Sequence, residues 1–361
     1  MILGTLGRYI AWRFARTVAA VFLGFFALIY LVDFVELLRR SSDVEAATAT
    51  MVAGLSLLRA PAVTEQILPF AVLFGAMVSL LNLSRKLELV VARAAGVSAW
   101  QFLAPPVLVV FLIGVASVTL YNPLSAALKQ RADRIETRAF GRTGSTAVDT
   151  SMWIRQRSID GQAILRAEKS SDRGTALGSV TAYVFEPDGR FMERVEAARA
   201  TLWPGVWKLE NARILAPAEE PRDSEIYYLA TNLQPDQVAQ SFVPPDSVSF
   251  WALQDIRDRT IQAGLDATGY ALRYQTLLAR PLFLVAMVMI AASFSLRFFR
   301  MGGVAKNVLG GVTTGFVLYV ATKLVADLGG AGIVSAPVAA WGPAVGGVLV
   351  GSLVVLNQED G

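Results

Sequence analysis

The chain contains no cysteine and no histidine among its 361 residues. Without cysteine there is no disulfide framework, no thiolate nucleophile and no thiolate metal ligand. Without histidine, neither Ser-His-Asp nor Cys-His chemistry can be assembled, and zinc sites of the Cys/His type are excluded. Missing cysteine does not identify a compartment, because an oxidising space permits disulfides without requiring them. No GxxxxGK[ST] phosphate cradle occurs, so the chain is not expected to hydrolyse a nucleotide itself. No catalytic residue, no metal site, no directly bound cofactor and no nucleic-acid partner is expected. Charge is scarce as well: 17% of residues are Asp, Glu, Lys or Arg, and 54% are hydrophobic, where a soluble chain carries about a quarter charged residues. Low charge combined with long apolar runs indicates an integral membrane protein, and the placement of the net charge of +4 matters more than its sum.

Apolar runs of bilayer-spanning length fall into two groups of three. The first comprises Thr17–Leu37, Ser56–Leu81 and Trp100–Tyr121. The second comprises Leu272–Ser295, Val304–Ala326 and Val334–Leu356. The first run lacks a small-residue cleavage site and reads as a retained helix. Arg8, Arg13 and Arg16 precede it. Arg85, Lys86 and Arg93 lie between the second and third runs, and Arg297, Arg300 and Lys306 between the fourth and fifth. All these cations sit on one side of a six-span arrangement, whereas the short loops opposite contribute only Arg39 and Arg40. The bias predicts cytoplasmic termini and a central domain on the other side.

That domain reads as mostly β. TAYVFEPDGRFMERVEA has strand-like segments on either side of Asp188-Gly189, and ATLWPGVWKLENARI repeats the pattern around Pro204-Gly205. Further short strands are expected at Met152–Gln156, Gln162–Ala167 and Glu225–Thr231, and regular spacing suggests a sandwich or jelly roll. Helical patterns at Leu124–Phe140 and Ser249–Ala263 flank it as stalks. The expected fold is therefore an α-helical membrane protein with six transmembrane helices (3+3) and an inserted, jelly-roll-like all-β domain. Its parts are 1–128 with transmembrane helices 1–3, 129–263 with the β domain and stalks, and 264–361 with helices 4–6. Gly311 and Gly315, then Gly342, Gly346, Gly347 and Gly351, allow close helix approach, either within the bundle or at a subunit interface.

Between the second and third runs stands RKLELVVARAAGVS, Arg85 to Ser98. On one continuous helical wheel, Leu87, Val90, Val91, Ala94 and Ala95 share one arc. Arg85, Lys86, Glu88, Leu89, Ala92 and Arg93 share the other, with Gly96 as a stop. The segment can be a basic interfacial helix on anionic lipid. Alternatively, it is a docking helix in a groove of a cytoplasmic partner, with Glu88 anchoring a partner cation and Leu89 covered.

PAVTEQILPFAVLFGAMVSLLNLSRKLELVVARAAGVS combines a proline-punctuated helix with a Leu-x-Gly core, an acid–hydrophobic pair and Ala-x-Gly. It resembles the second span and coupling helix of the LptF/LptG lipopolysaccharide-export permeases. NLQPDQVAQSFVPPDSVSFWALQDI and GYALRYQTLLARPL are similar to the LptG branch of that family. No single motif is as specific as a Walker A, but the ordered set covers nearly the whole chain. The resemblance implies half of a heterodimeric ABC-transporter membrane unit in the inner membrane of a Gram-negative bacterium. It implies LptF as partner, an LptB dimer beneath that supplies ATP and Mg chemistry, and LptC and LptA receiving lipopolysaccharide through a periplasmic β domain. It also implies that the segment 84–96 is the coupling helix, with Arg85, Glu88, Leu89, Ala92 and Arg93 as the ATPase-coupling residues.

Lipopolysaccharide carries phosphates beside acyl chains. Arg131, Arg134 and Arg138 lie within about 60° of one another on a helix, with Lys129, Asp133 and Glu136 opposite, where they can compensate each other. The stripe suits phosphate contact or snorkelling to lipid phosphates. The resemblance favours substrate. Family members often carry a basic, substrate-contacting residue near Asp33; here Arg39 and Arg40 are candidates to take over its role, or LptF supplies it. Lys323 is a further candidate, although Asp327 four residues on could hold it in a local ion pair. Glu65, between Pro61 and Pro69, has no assigned role. Two other classes remain: an ion-gradient-driven transporter using Glu65 or Asp33, and a membrane-anchored scaffold. The six runs show no clear internal repeat of the kind common in secondary carriers, and a scaffold would not need a charged coupling segment.

Overall fold

Each apolar run coincides with a helix of spanning length, and most of those helices extend beyond the run itself. The computed structural model describes residues 4–40, 48–86, 88–139, 152–158, 161–171, 174–217, 219–235, 244–262, 266–296 and 304–359. The first hairpin of helices is α1 (Thr5–Arg40) and α2 (Ala49–Arg85), followed by the short α3 (Glu88–Ala94). Next come α4 (Ala99–Ala116), a π-helical turn at Ser117–Tyr121 and α5 (Asn122–Ala139). After the strands come α6 (Phe250–Gln262), α7 (Thr268–Ser295), α8 (Val304–Gly330) and α9 (Ala336–Glu359). Six helical stretches are long and apolar enough to cross a membrane. At 1.5 Å per residue, α1 is about 54 Å long against a hydrocarbon core of about 30 Å, so its ends can project into polar surroundings. Arg297 and Arg300, used above for orientation, lie outside the described residues.

The chain divides into a helical unit, 1–140 with 249–251 and 271–361, and a β unit, 141–248 with 252–270. The helix bearing Arg131 and Arg134 thus groups with the membrane helices, whereas the sequence reading began the β domain at residue 129. In the helical unit the core is built from Phe14 and Val18 of α1, Val72, Leu73, Ala76 and Leu80 of α2, Leu103 and Val110 of α4, and Leu284, Met287 and Val288 of α7. Helices α2 and α7 are mostly enclosed, whereas α1 and α8 leave Leu28, Leu31, Val32, Phe316, Val317 and Leu324 exposed. Close approach needs missing side chains. A Cβ built on Gly114 would lie 2.5 Å from Pro281 Cα, so α4 and α7 touch backbone to backbone. Of the glycines in the last two helices, Gly311, Gly315, Gly347 and Gly351 pack against neighbours within the bundle, while Gly342 and Gly346 face open space.

The β unit holds β1 (Met152–Ser158), β2 (Gly161–Ser171), β3 (Ala176–Phe185), β4 (Phe191–Trp203), β5 (Val206–Leu215) and β6 (Arg222–Ala230) in one antiparallel sheet, in chain order. The two sequence-marked hairpins turn at Gly189 and Gly205, whose φ angles are 89° and 81°; a side chain there would strain the backbone. The connectivity is a simple meander, and its sandwich-like character comes from a crease. Glu168, Ser179, Ala198, Asn211 and Glu225, aligned across β2 to β6, are skipped by the pairing ladder while the register on either side is unchanged. Ser179 and Asn211 are left-handed, at φ 51° and 53°, and such a residue bends its strand as a bulge does. Inward-facing positions change phase there: Leu177 then Val180, Ala197 then Ala200, Leu209 then Ala212 are all buried. Residues from both sides of the crease therefore share one core. Gln156 of β1 closes it. Its Oε1 accepts from Trp207 Nε1 at 3.0 Å and Thr231 Oγ1 at 2.7 Å, and its Nε2 donates to the Ala230 carbonyl.

Candidate functional site

Three charged clusters link the helices of the helical unit. The innermost surrounds Glu65, midway along α2 and 4% exposed. Pro69 has no N–H to give the Glu65 carbonyl, and the Pro61 carbonyl accepts an extra bond from Tyr121 Oη at 3.1 Å. The π turn accommodates one more residue than an α-helix would. Directly after it, Asn122 and Ser125 face α2. Glu65 Oε1 accepts from Arg280 Nη1 at 2.5 Å and Asn122 Nδ2 at 2.9 Å, with Arg273 Nη2 at 3.6 Å. Its Oε2 accepts from Ser125 Oγ at 2.5 Å. Asn122 Oδ1 in turn accepts the backbone N–H of Phe250, whose ring stacks on Tyr274 at 5.3 Å. One buried acid thus ties α2, α5 and α7 together and reaches, through Asn122, the first residue of α6. A buried ion survives only with such pairing.

A second cluster joins α1, α2 and α5. Arg59 lies 3.9 Å from Asp33 and 3.5 Å from Glu136. Glu136 therefore serves another helix instead of compensating Lys129, because it lies on the face that also buries Ala132. Asp33 Oδ2 is buried without a hydrogen-bond partner among the described residues.

The third cluster lies at α3. Arg13 Nη1 donates to Glu88 Oε1 at 2.8 Å and to Tyr9 Oη at 2.8 Å. Here the structure revises the helical wheel. The segment 84–96 is not one helix: α2 runs through Arg85, and α3 starts afresh at Glu88. Re-phasing turns the face carrying Ala92 inward, where it is buried, and leaves Val91, assigned to the resting face, 67% exposed. Arg85 is exposed at the end of α2, while Leu87 and the side chains of Leu89, Val90 and Arg93 lie outside the described residues.

The expected phosphate contacts do not form one group. Arg131 and Arg134 are exposed on α5 and, among the described residues, have no carboxylate within ion-pair distance; the side chain of Arg138 lies outside those residues. Arg39 and Arg40 both pair with Glu36, at 3.1 and 2.8 Å. Lys323 and Asp327 are exposed on α8 without forming the local ion pair. Arg59, Arg273 and Arg280 are site residues absent from the sequence expectations, and Arg13 enters those only as an orientation charge. For the first three, a cation standing inside an apolar stretch is the available signal, since such residues need partners; Arg13 precedes its run and carries no such signal.

Six membrane-length helices, with a unit built on one six-stranded sheet inserted in the chain after the third, define a multi-pass membrane protein. Residues 8–357 match the family model for the lipopolysaccharide export system permease LptF/LptG, and the chain belongs to that family. It is 24% identical over 332 residues to the lipopolysaccharide export system permease protein LptG of Escherichia coli K12, covering 90% of each chain. It is 22% identical over 374 residues to LptG of Haemophilus influenzae, covering 98% of this chain and 97% of the relative. Among the described residues no group of Asp or Glu could hold a metal ion.

Proposed function

We propose that this chain is one half of the membrane unit of an ABC transporter that extracts lipopolysaccharide from the inner membrane of a Gram-negative cell. The observation that carries the reading is the family match over residues 8–357. The other half is an LptF-type subunit, and an LptB dimer bound beneath α3 holds ATP and Mg and performs the hydrolysis. The β unit passes the lipid to LptC and LptA. The termini are cytoplasmic and the β unit periplasmic, supported by the cluster of Lys and Arg at the ends of the helices on one side. This chain contributes no catalytic group and binds no cofactor. It contributes α3 as the coupling element, with Arg85, Glu88, Leu89 and Arg93 around the ATPase contact; Ala92, expected there from the resemblance, is buried on the inner face instead. It also contributes cations for substrate phosphates, of which Arg131, Arg134 and Arg138 are the first candidates, then Arg39, Arg40 and Lys323.

A gradient-driven carrier would need an open acid. Glu65 already accepts from Arg280, Asn122 and Ser125, which argues against it in that role; Asp33, with Oδ2 unpartnered among the described residues, is the acid left to the carrier reading. The test is reconstitution of the chain with its partner subunit and ATPase in proteoliposomes loaded with lipopolysaccharide. Release to a soluble acceptor that requires ATP and ignores ionophores supports the proposal. Release driven by an ion gradient without ATP, or failure of the ATPase to copurify, overturns it.

A further inference from the structure

Glu88 opens α3 soon after the end of α2 and has a charged neighbour in α1. Its side chain is 32% exposed and that of Arg13 16%, so the pair stands at the rim of the helical unit. Only one oxygen is engaged. Oε1 accepts from Arg13, while among the described residues Oε2 accepts no hydrogen bond. Arg13 is itself held: the Tyr9 hydroxyl, one helical turn earlier, takes a second hydrogen bond from the same Nη1, and the guanidinium lies 5.9 Å from the Tyr9 ring centre. The long side chain therefore spends little freedom in meeting the carboxylate. Burial of Ala92, one turn after Glu88, fixes the rotation of α3 that points Glu88 at α1. Helix α1 already packs on α2 through Phe14 and Val18. The Arg13–Glu88 pair gives it, in addition, a direct link to α3.

We propose that Arg13 is a positioning residue of the coupling device. Glu88 is shared between Arg13 through Oε1 and a cation of the ATPase subunit through Oε2, so a displacement of α3 is handed to α1 as well as to α2. The inference rests on the reading of α3 as the coupling helix. It adds a residue far from that helix in sequence and a second route by which work enters the membrane unit. Binding and transmission are then separable: Oε2 serves docking and Oε1 serves transmission.

The experiment uses the full chain assembled with its partner permease subunit and the ATPase in lipid nanodiscs. It reads ATPase copurification, lipopolysaccharide released per ATP hydrolysed, and melting temperature. Arg13→Gln is expected to keep the ATPase bound and the melting temperature near the parent value. Release per ATP should fall by about tenfold, the scale of losing one charge-assisted hydrogen bond. Arg13→Lys should restore most of it. Glu88→Gln should weaken ATPase binding, and the double variant should release no less per ATP than Glu88→Gln alone. Tyr9→Phe, a milder change that loosens the guanidinium, gives a smaller loss and serves if Arg13→Gln does not fold. Unchanged release per ATP in Arg13→Gln, or in Tyr9→Phe if it must serve, overturns the inference, as does strict additivity in the double variant. If Glu88→Gln itself leaves binding and release untouched, the coupling-helix reading fails with it. If only the Arg13 variants are silent, that reading stands and the shared carboxylate does not.

Discussion

Arg280 Nη1 donates to Glu65 Oε1 at 2.5 Å, across 215 residues of sequence. The pair joins α2, from the first group of spans, to α7, from the second, with the whole β unit inserted between them in the chain. Helices in a bilayer gain nothing from the hydrophobic effect when they associate. An intramembrane ion pair with side-chain hydrogen bonds around it therefore specifies which helices meet.

Removing both members should cost less than the sum of removing each. Glu65→Leu strands Arg280 beside Arg273 and is expected to cost about 3–5 kcal/mol. Arg280→Leu should cost less, because Arg273, Asn122 and Ser125 still face the carboxylate. The double Leu variant should add little to Glu65→Leu. Thermal unfolding of the purified protein in detergent, followed by size-exclusion chromatography, reads the difference. A double variant as unstable as the sum of the singles would show that the pair does not act as a unit.

Gly114 has no room for any side chain, because a Cβ there meets the Pro281 backbone. Gly114→Ala should already lower stability by about 1–3 kcal/mol through forced separation of α4 and α7, and Gly114→Leu should abolish monodisperse protein. Gly24→Ala, where nothing lies within 4 Å of the new atom, is the matched control and should be silent in the same chromatographic assay.

In the β unit, Gln156 satisfies Trp207 and Thr231 simultaneously. Gln156→Leu leaves a buried indole N–H and a buried hydroxyl without their acceptor, a loss of about 1–3 kcal/mol for each unsatisfied group. Amide hydrogen exchange should show β1 losing protection first, since Gln156 is its link to β5 and to the residues after β6. Uniform loss across all strands would mean the knot stabilises the sheet without fixing that closure.

The helices and most strands were legible because they are periodic or uniformly apolar over long stretches, as in Thr17–Leu37 within α1 and the hairpins at Gly189 and Gly205. The charged clusters were not. Glu65 and Arg280, or Arg13 and Glu88, are separated by 215 and 75 residues, and no local pattern links them. The wheel drawn through Arg85–Gly96 failed for a different reason: the break between α2 and α3 re-phases every later residue, so Ala92 and Val91 exchange sides. The crease escaped notice because its left-handed positions are Ser179 and Asn211, whereas glycine is the residue that advertises such backbone.

Those two positions make the crease testable. Ser179→Gly should stabilise the β unit by up to about 1 kcal/mol, because glycine carries no steric penalty at positive φ, whereas Ser179→Val should destabilise it by about 1–2 kcal/mol. Asn211→Gly should be closer to neutral, asparagine being the better tolerated of the two. Hydrogen exchange at Gly178 to Val180 and Glu210 to Ala212 reads the local effect. Equal responses to glycine and valine at Ser179 would argue that the left-handed turn is not what bends the strand.

Val91 offers the sharpest test of the re-phased coupling segment. It is 67% exposed, about 100° around α3 from the buried Ala92, and no group in the described chain covers it. An apolar side chain in that position, beside a carboxylate with one open oxygen, is what a docking partner would bury. Val91→Asp is expected to weaken ATPase copurification about tenfold or more, through burial of an unpaired charge at the interface. Melting temperature should stay at the parent value, since the residue contributes nothing to the bundle. Ala94→Asp, at another exposed position nearer Gly96, should act in the same direction. Ala92→Asp should instead destabilise the chain itself. If Ala92→Asp were tolerated while Val91→Asp unfolded the protein, α3 would sit in the orientation first drawn from the sequence, with its charged face outward.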